Sequence, residues 1–150
     1  YPVIGVSKNG AEYFCQWKTN FENVTVKVGH GKSKASITSS PDTKFRLPME
    51  LEWRYVASQP LKSRDNNDHQ IRKVNSGSVN KWDIAHLTDN VSEWVLPSND
   101  TLAVSIGGSW RTNNNISDLQ IVNPDSSNGF TGFRIVRTFE SKKINSKTNK

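Results

Sequence analysis

Apolar residues recur at helical spacing near the start of the chain, and this pattern predicts an amphipathic helix over residues 8–18. Ala11, Phe14 and Cys15 lie three and four residues apart, as positions on one helical face do. Ser7 is predicted to cap this helix, because its hydroxyl can accept a hydrogen bond from an amide of the first turn. Residues 1–6 are apolar and predict an extended entry.

Alternating apolar and polar residues predict a half-buried strand over residues 23–28. Residues 34–39 are expected to return as its partner across the turn signal Gly29–His30–Gly31, which would give a β-hairpin. Two further strands are predicted, at residues 102–106 and 133–138. The stretches 61–78 and 112–117 are polar and predict loops.

A second helix is predicted to open at Pro48, where a missing amide hydrogen costs nothing, and to end before Pro60. Its packed face is expected to hold Leu51, Trp53, Tyr55, Val56 and Ala57. Residues 82–95 carry apolar side chains at irregular spacing, and they predict compact turns rather than a helix.

Composition limits the class of protein. The 150 residues suit one domain, and a hydrophobic fraction of 33% with a mean hydropathy of -0.68 is low for a globular chain. The 5 Trp, 6 Phe and 3 Tyr nevertheless exclude a disordered polar chain, which would be poor in aromatic residues. No run of residues approaches the roughly 20 apolar positions of a membrane-spanning helix.

The net charge of +6 invites a nucleic-acid hypothesis. Residues 141–150 hold four lysines and no acid, so this tail contributes +4 and the other 140 residues only 6 − 4 = +2. We therefore expect a nearly neutral domain over residues 1–138, a basic flexible tail over 139–150, and no specific nucleic-acid partner.

Four blocks of the sequence occur in the order of a known family. They are YPVIGVSKNGAEYFCQW at 1–17, FRLPMELEWRYVA at 45–57, NKWDIAHLTDNVSEWV at 80–95, and GGSW at 107–110 with GFRIVR at 132–137. Together they resemble the formylglycine-generating enzyme, or sulfatase-modifying factor, family over about residues 1–137. The N-terminal portion of the family domain has no counterpart here, so we expect it to be missing from this chain.

This resemblance implies an α+β, C-type-lectin-like fold, with two helices, short irregular antiparallel strands and much loop. It also implies structural roles for the residues of the shared motifs. Gly107 and Gly108 would allow close backbone approach or a positive φ, and Arg134 would form a hydrogen-bond network under the loops. The core would receive the four matching tryptophans, Trp17, Trp53, Trp94 and Trp110.

The resemblance implies that oxidase members of the family carry a cysteine pair between GGSW and GFR. This pair would bind copper as thiolates, the soft ligands that Cu(I) requires. Residues 111–131 contain no cysteine, and Cys15 belongs to the first helix, where it is expected to be a small buried hydrophobe. The histidines His30, His69 and His86 show no ligand spacing for an iron site. The chain is therefore predicted not to be an enzyme.

Calcium-binding members of the family resemble this chain in a GN-V-x-E-W segment, which matches residues 89–94. The resemblance implies Glu93 as the side-chain ligand, with backbone carbonyls of Asp89 and Val91 adding oxygens. Asp89 stands where the family has Gly, and an Asp with positive φ would be strained. In the alternative interpretation, Glu93 caps or pairs within the turn without a metal.

Two more departures from the family pattern have consequences. Met49 replaces the usual Thr cap of the second helix, so that end of the helix loses a side-chain acceptor. Residues 19–44 include the hairpin-like stretch, and an added β-hairpin on a compact domain is a plausible docking element.

Chains of the family without cysteines are similar to gliding-motility and secretion-associated lipoproteins of Bacteroidota. That similarity implies a non-catalytic binding or scaffold domain outside the cytoplasm, with other protein chains of an envelope complex as partners. Membrane attachment would come only through a missing N-terminal anchor or a partner.

Two alternatives stay open. The first is an enzyme domain whose catalytic residues lie upstream or in a partner chain. The second is a ligand-displaying variable protein with the same fold, a hypothesis that Asn113, Asn114 and Asn115 fit because diversification targets adenine-rich codons.

Overall fold

The computed structural model describes residues 1–27, 36–39, 43–62, 69–98, 102–112 and 119–139. The predicted turn at residues 29–31, the asparagines 113–115 and the tail from residue 140 lie outside the described residues. The helices are α1 (Lys8–Asn23) and α2 (Glu50–Ala57). The strands are β1 (Val24–Lys27), β2 (Ser36–Ser39), β3 (Thr43–Arg46), β4 (Ser92–Val95), β5 (Ala103–Ile106), β6 (Leu119–Val122), β7 (Thr131–Gly132) and β8 (Val136–Phe139). No described helix is both long and apolar enough to cross a bilayer.

The start of α1 confirms its prediction, because the amide of Gly10 donates to Ser7 Oγ over 3.1 Å. The helix continues past the predicted end to Asn23. Its last turn is fastened to the neighbouring strand β3: Thr19 Oγ1 accepts from the Phe45 amide over 2.8 Å, and the Asn23 side-chain amide donates to the Thr43 carbonyl over 2.9 Å. These tertiary bonds extend the helix beyond what its own periodicity predicts.

Met49 supplies no side-chain cap hydrogen bond to the second helix, as expected, but the backbone amide of Met49 is satisfied. The Glu52 carboxylate accepts from the Met49 amide over 2.8 Å and is held by Arg46 through two bonds of 2.6 and 2.7 Å. Of the predicted packed face, Trp53 and Ala57 are buried, but Leu51 and Tyr55 are exposed, so the prediction was wrong for these two. Residues two apart on a helix point to nearly opposite sides, and only the side of Trp53 meets the core.

The central sheet has the strand order β6-β5-β4-β7. Strands β4, β5 and β6 are antiparallel, as expected, and β7 adds one parallel pairing with β4. The β1–β2 pair confirms the hairpin, and β3 pairs with β8.

The predicted strand limits need three changes. Of the predicted strand at 133–138, only residues 136–138 are strand, as part of β8, and β7 lies just before residue 133. The predicted turns at 82–95 give way to β4 for their last four residues. Strand β6 was not predicted, because LQIV is too short for a clear alternation. These four strands are short, and the positions of their ends depend on their partners in the sheets.

The central sheet buries side chains on both faces, because β4 and β5 are buried at every position. On one face, Val95, Val104 and Ile106 pack with Trp53 of α2. On the other, Trp94 and Ala103 pack with Ala11, Cys15 and Leu47. Alternation along the strands therefore assigns one core to each helix, with the sheet between them.

Gly107 occupies a position that has no room for a side chain. Its φ is +88°, and a Cβ there would lie 2.9 Å from the Leu87 carbonyl oxygen and 2.9 Å from the Trp53 ring. Gly107 therefore meets both expectations that the sequence raised for this pair, a positive φ and close approach; its neighbour Gly108 is buried.

Replacing Gly107 with Ala is expected to lower the free energy of unfolding by about 2–5 kcal/mol, since it adds left-handed strain to overpacking of the core. The measurement is equilibrium unfolding in urea. Gly129→Ala is the matched control, because a Cβ there meets nothing within 4 Å. An equal loss in both variants would contradict the close packing at Gly107.

Candidate functional site

The carboxylate of Glu93 lies at the centre of the candidate site. Glu93 belongs to β4 and is only 5% exposed. Strand alternation turns it toward α2, where the Trp53 indole Nε1–H donates to Glu93 Oε2 over 2.7 Å. A buried carboxylate is stable only with a cation or several donors around it, because it has lost its water.

Arg134, between β7 and β8, supplies the cation. Its Nε and Nη2 donate to Oε2 and Oε1 of Glu93, each over 2.5 Å, and Nη2 also donates to the Ala85 carbonyl over 3.1 Å. Burial acts to lower the pKa of Arg134, but the charge and hydrogen bonds of Glu93 outweigh it and raise the pKa above its usual range. Arg134 therefore keeps its charge beside the Glu93 carboxylate, and it makes the network under the loops that the resemblance implied.

Among the residues implied for calcium, Glu93 has no carboxylate oxygen to spare. Both oxygens accept from Arg134, and one also accepts from Trp53. Calcium takes six to eight oxygens, and a guanidinium beside them would repel the ion. In the described part of the chain, no three His, Cys, Asp or Glu side chains could hold a metal ion. The residues do not fit calcium, and the geometry favours the alternative in which Glu93 is paired within the protein.

The backbone around Asp89 also differs from the expectation. The residue with positive φ is Asn90, at +65°, not Asp89. Asn tolerates this region better than most residues do, and its side chain accepts from the Arg72 amide over 3.0 Å. Val91 is buried behind it. The turn places the positive φ at Asn90, which tolerates it, so the backbone strain expected at Asp89 is absent.

His86 is a buried imidazole with an acceptor at each ring nitrogen. Its Nδ1 lies 3.0 Å from Asp89 Oδ1 and its Nε2 lies 3.1 Å from the Lys73 carbonyl oxygen. Only the doubly protonated ring can donate to both. The hydrogen bond that His86 donates to the Asp89 carboxylate raises the pKa of His86, and burial acts in the opposite direction. His86 has no ligand spacing in the sequence, and in the structure it forms this ion pair with Asp89.

Cys15 is not placed for chemistry. It belongs to α1 and is buried in the core, with only 3% of its surface exposed. Burial, and then the charge of Glu12, raises the pKa of the Cys15 thiol above its ordinary value. Reactive and copper-binding cysteines need the opposite shift, toward the thiolate.

The four motif tryptophans have different surroundings. Trp53 and Trp94 are buried, and Trp110 is half-buried with its indole donating to the Gly129 carbonyl over 3.2 Å. Trp17 is 51% exposed, so its expected place in the core was wrong. It follows the buried Cys15 by two residues, and that spacing turns it away from the core.

Trp17 belongs instead to an exposed row of rings on α1, here called the aromatic stripe: Tyr13, Phe14, Trp17 and Phe21. The Trp17 and Phe21 rings stack with centroids 5.3 Å apart, and Phe14 lies 5.6 Å from Trp17. The stripe was missed because the predicted helix ended before Phe21 and the rings were assigned to the core. The i, i+4, i+8 spacing of Tyr13, Trp17 and Phe21 was the available signal.

A cleft of about 580 Å³ adjoins the aromatic stripe. Its walls are mainly apolar and come from the N-terminal segment, the turns before β4 and the chain between β7 and β8. The wall residues used below are Val3, Phe14, Val74, Ile84, Phe133 and Ile135, and the Glu93–Arg134 pair also faces this cleft. Apolar clefts of this size with a few polar groups are where proteins commonly bind ligands.

Three solved structures are similar to this fold. CarF has a TM-score of 0.65 at 17% identity, over 94% of this chain and 68% of its own. The Treponema denticola variable protein 1 has a TM-score of 0.68 at 19% identity, over 93% and 71%. PvdO from Pseudomonas aeruginosa has a TM-score of 0.59 at 16% identity, over 91% of this chain and 61% of its own. No family model matches the sequence, and no curated protein is significantly similar to it.

At these identities the likeness establishes the fold. The chain has an α+β, C-type-lectin-like fold, of the kind also seen in formylglycine-generating enzymes, as the sequence blocks implied. The residues at its centre form a neutral ion pair.

Replacing His86 with Asn is expected to remove a pH-dependent part of the stability. Because the folded pKa of His86 is raised above 6.5, its contribution is fully present below that pH and is lost as the pH rises through the folded pKa. Urea unfolding of wild type and variant should show their stability difference shrinking from about pH 5.5 to about pH 8.5.

Asn also suits the positive φ of position 86, which is +56°. The control is His69→Asn, the same substitution at an exposed histidine with φ +54° that lies outside the His86–Asp89 pair. A stability difference for His86→Asn that is constant with pH would contradict the imidazolium at this site.

Proposed function

We propose that the chain is a non-catalytic binding domain that holds another protein through the aromatic stripe, as part of a bacterial envelope complex outside the cytoplasm. The observation that carries the proposal is the exposure of this row of rings. Tyr13 is 73%, Phe21 64% and Trp17 51% exposed.

The size of the stripe supports a docking role. With the Phe14 ring, the exposed fractions correspond to on the order of 450 Å² of aromatic surface. The largest apolar patch on a typical monomer is about 300–600 Å² and is often functional. Aromatic rings are also the side chains that carry most binding energy in protein interfaces.

The charges beside the stripe support a protein partner. Lys8 pairs with Glu12 and Lys18 with Glu22 on the same helix, each over 2.9 Å. These cations are already neutralised, whereas a nucleic acid or an anionic lipid surface would be bound by unpaired ones. A partner with a largely apolar, uncharged surface fits the stripe better.

The use of the titratable groups supports a non-catalytic role. Glu93 is bonded to Arg134 and Trp53, His86 to Asp89, and the Cys15 thiol is buried. Copper oxidation would also need the cysteine pair that residues 111–131 lack. The proposal invokes no metal or cofactor, and it assigns membrane attachment to a segment or partner outside this chain.

A ligand-displaying variable protein is the second candidate. Similarity of fold to the Treponema denticola variable protein 1 favours it. Such a protein would contact its ligand through the loop that contains Asn113–Asn115, rather than through α1. The two candidates therefore place the bound partner at different surfaces.

The proposal is tested by photo-crosslinking of the full-length protein in its natural cells. A benzophenone side chain at position 13 or 21 is expected to give one crosslinked product of defined mass. The same group at Gln16, which is exposed on the polar side of α1, is the control and should give none. Trp17→Ala should lower the yield at position 13 at least about fivefold, because central aromatic contacts dominate such interfaces.

Equal crosslinking from position 16, or none from the stripe, would contradict the proposal. Crosslinks from a benzophenone placed at positions 113–115, with none from positions 13 and 21, would favour the variable-protein candidate. Turnover of a cysteine peptide by the purified chain with copper would contradict the non-catalytic part.

A further inference from the structure

We infer that the cleft beside the aromatic stripe is a pocket for one aromatic side chain of the protein partner, with Arg134 donating to a backbone carbonyl oxygen of that partner. This inference rests on the proposed function and adds the chemistry of the occupant. It assigns the partner an exposed aromatic residue in a segment whose backbone can enter the cleft.

The first support is the unused edge of Arg134. A guanidinium has five N–H donors. The Nε and Nη2 atoms bond to Glu93 and to backbone carbonyls, while Nη1 has no hydrogen-bond partner among the described residues. The Nη1 atom is not among the fully buried polar atoms that lack partners, and Arg134 is one of the residues that line the cleft. It can donate to an oxygen that enters from outside.

The second support is the charge of the cleft. Glu93 neutralises Arg134, Asp89 neutralises His86, and Lys62 pairs with Asp83 at the rim over 2.5 Å. With no net charge, the cleft offers little attraction to a free anion or cation. A peptide carbonyl is an uncharged acceptor and suits the Nη1 donors of Arg134.

The third support is the volume of the cleft and the apolar character of its walls. Val3, Val74, Ile84, Phe133 and Ile135 present apolar surface around about 580 Å³. This volume accommodates a large side chain with part of its backbone, within the range of about 300–1,000 Å³ common for ligand sites. An aromatic anchor buries the most area for the least loss of rotational freedom.

The fourth support is continuity with the stripe. Phe14 belongs to the stripe and to the cleft wall, and its ring meets the Phe133 ring edge-on with centroids 5.6 Å apart. A segment of the partner that lies on Trp17 and Phe21 can therefore continue directly into the cleft. The stripe alone offers on the order of 450 Å². Each partner in a stable interface buries about 800 Å², so a stable complex needs the added area of the cleft.

The test uses N-acetyltryptophanamide, an uncharged probe with one aromatic ring and two peptide carbonyls. Titration into the isotope-labelled chain, followed by NMR, is expected to shift the methyl signals of Val74, Ile84 and Ile135 and the guanidinium N–H signals of Arg134. N-acetylalaninamide, which has the carbonyls but no ring, should bind at least tenfold more weakly.

Two variants locate the probe. Val74→Trp fills the cleft mouth at a side chain that is 57% exposed, so it should fold normally and weaken binding at least fivefold. Trp17→Ala removes the centre of the stripe and should leave binding within twofold of wild type. Unchanged probe binding in Val74→Trp, or equal binding of the two probes, would overturn the inference.

Shifts confined to Trp17 and Phe21 would overturn the pocket while leaving the proposed function in place. Pocket binding with no crosslinks from the stripe would instead overturn the proposed function and leave the pocket. Cleft signals that broaden with protein concentration, and that the probe does not affect, would show a second copy of the chain as the occupant and would overturn the inference.

Discussion

The buried ion pair between Glu93 and Arg134 is the interaction on which the rest of the structure depends. It joins β4 to the chain between β7 and β8, and the Trp53 indole adds α2 to the same carboxylate. The Arg134 bond to the Ala85 carbonyl fastens the preceding turns as well. Removing one member would leave the other charged and buried, which typically costs about 3–5 kcal/mol.

This arrangement explains how a chain with few apolar residues keeps a defined fold. The two cores on either side of the central sheet are small, and short strands and turns make up much of the remaining structure. Directional bonds from one arginine fix where several of those turns lie. The same bonds engage Glu93 and Arg134 within the fold, whereas the rings on α1 are exposed beside the cleft.

The sequence predicted the parts whose signals are local. The Ser7 cap, the β-hairpin and the α+β class follow from residues that are close together in the chain or from the order of the family blocks. The errors came from tertiary partners. Leu51 and Tyr55 have the residue types of a packed face but lie opposite the core, and α1 is longer because Thr19 and Asn23 find bonds on β3.

The candidate site shows the same contrast between local sequence signals and tertiary contacts. Glu93 and Arg134 were both singled out, yet their pairing spans 41 residues and no local pattern reveals it. Trp17 was misplaced because a family motif gives a residue type and not its orientation. The aromatic stripe could have been predicted from the i, i+4, i+8 spacing of its rings, but whether such a row faces a core or solvent depends on the rest of the fold.

Hydrogen exchange at two side chains tests the central role of the ion pair most directly. If the network opens only when the whole chain unfolds, the Arg134 Nε–H and the Trp53 indole N–H will exchange with the free energy of global unfolding measured by urea. The half-buried Trp110 indole serves as an internal comparison and should exchange faster. Exchange of the Arg134 and Trp53 hydrogens through a local opening, well below the global free energy, would contradict the account.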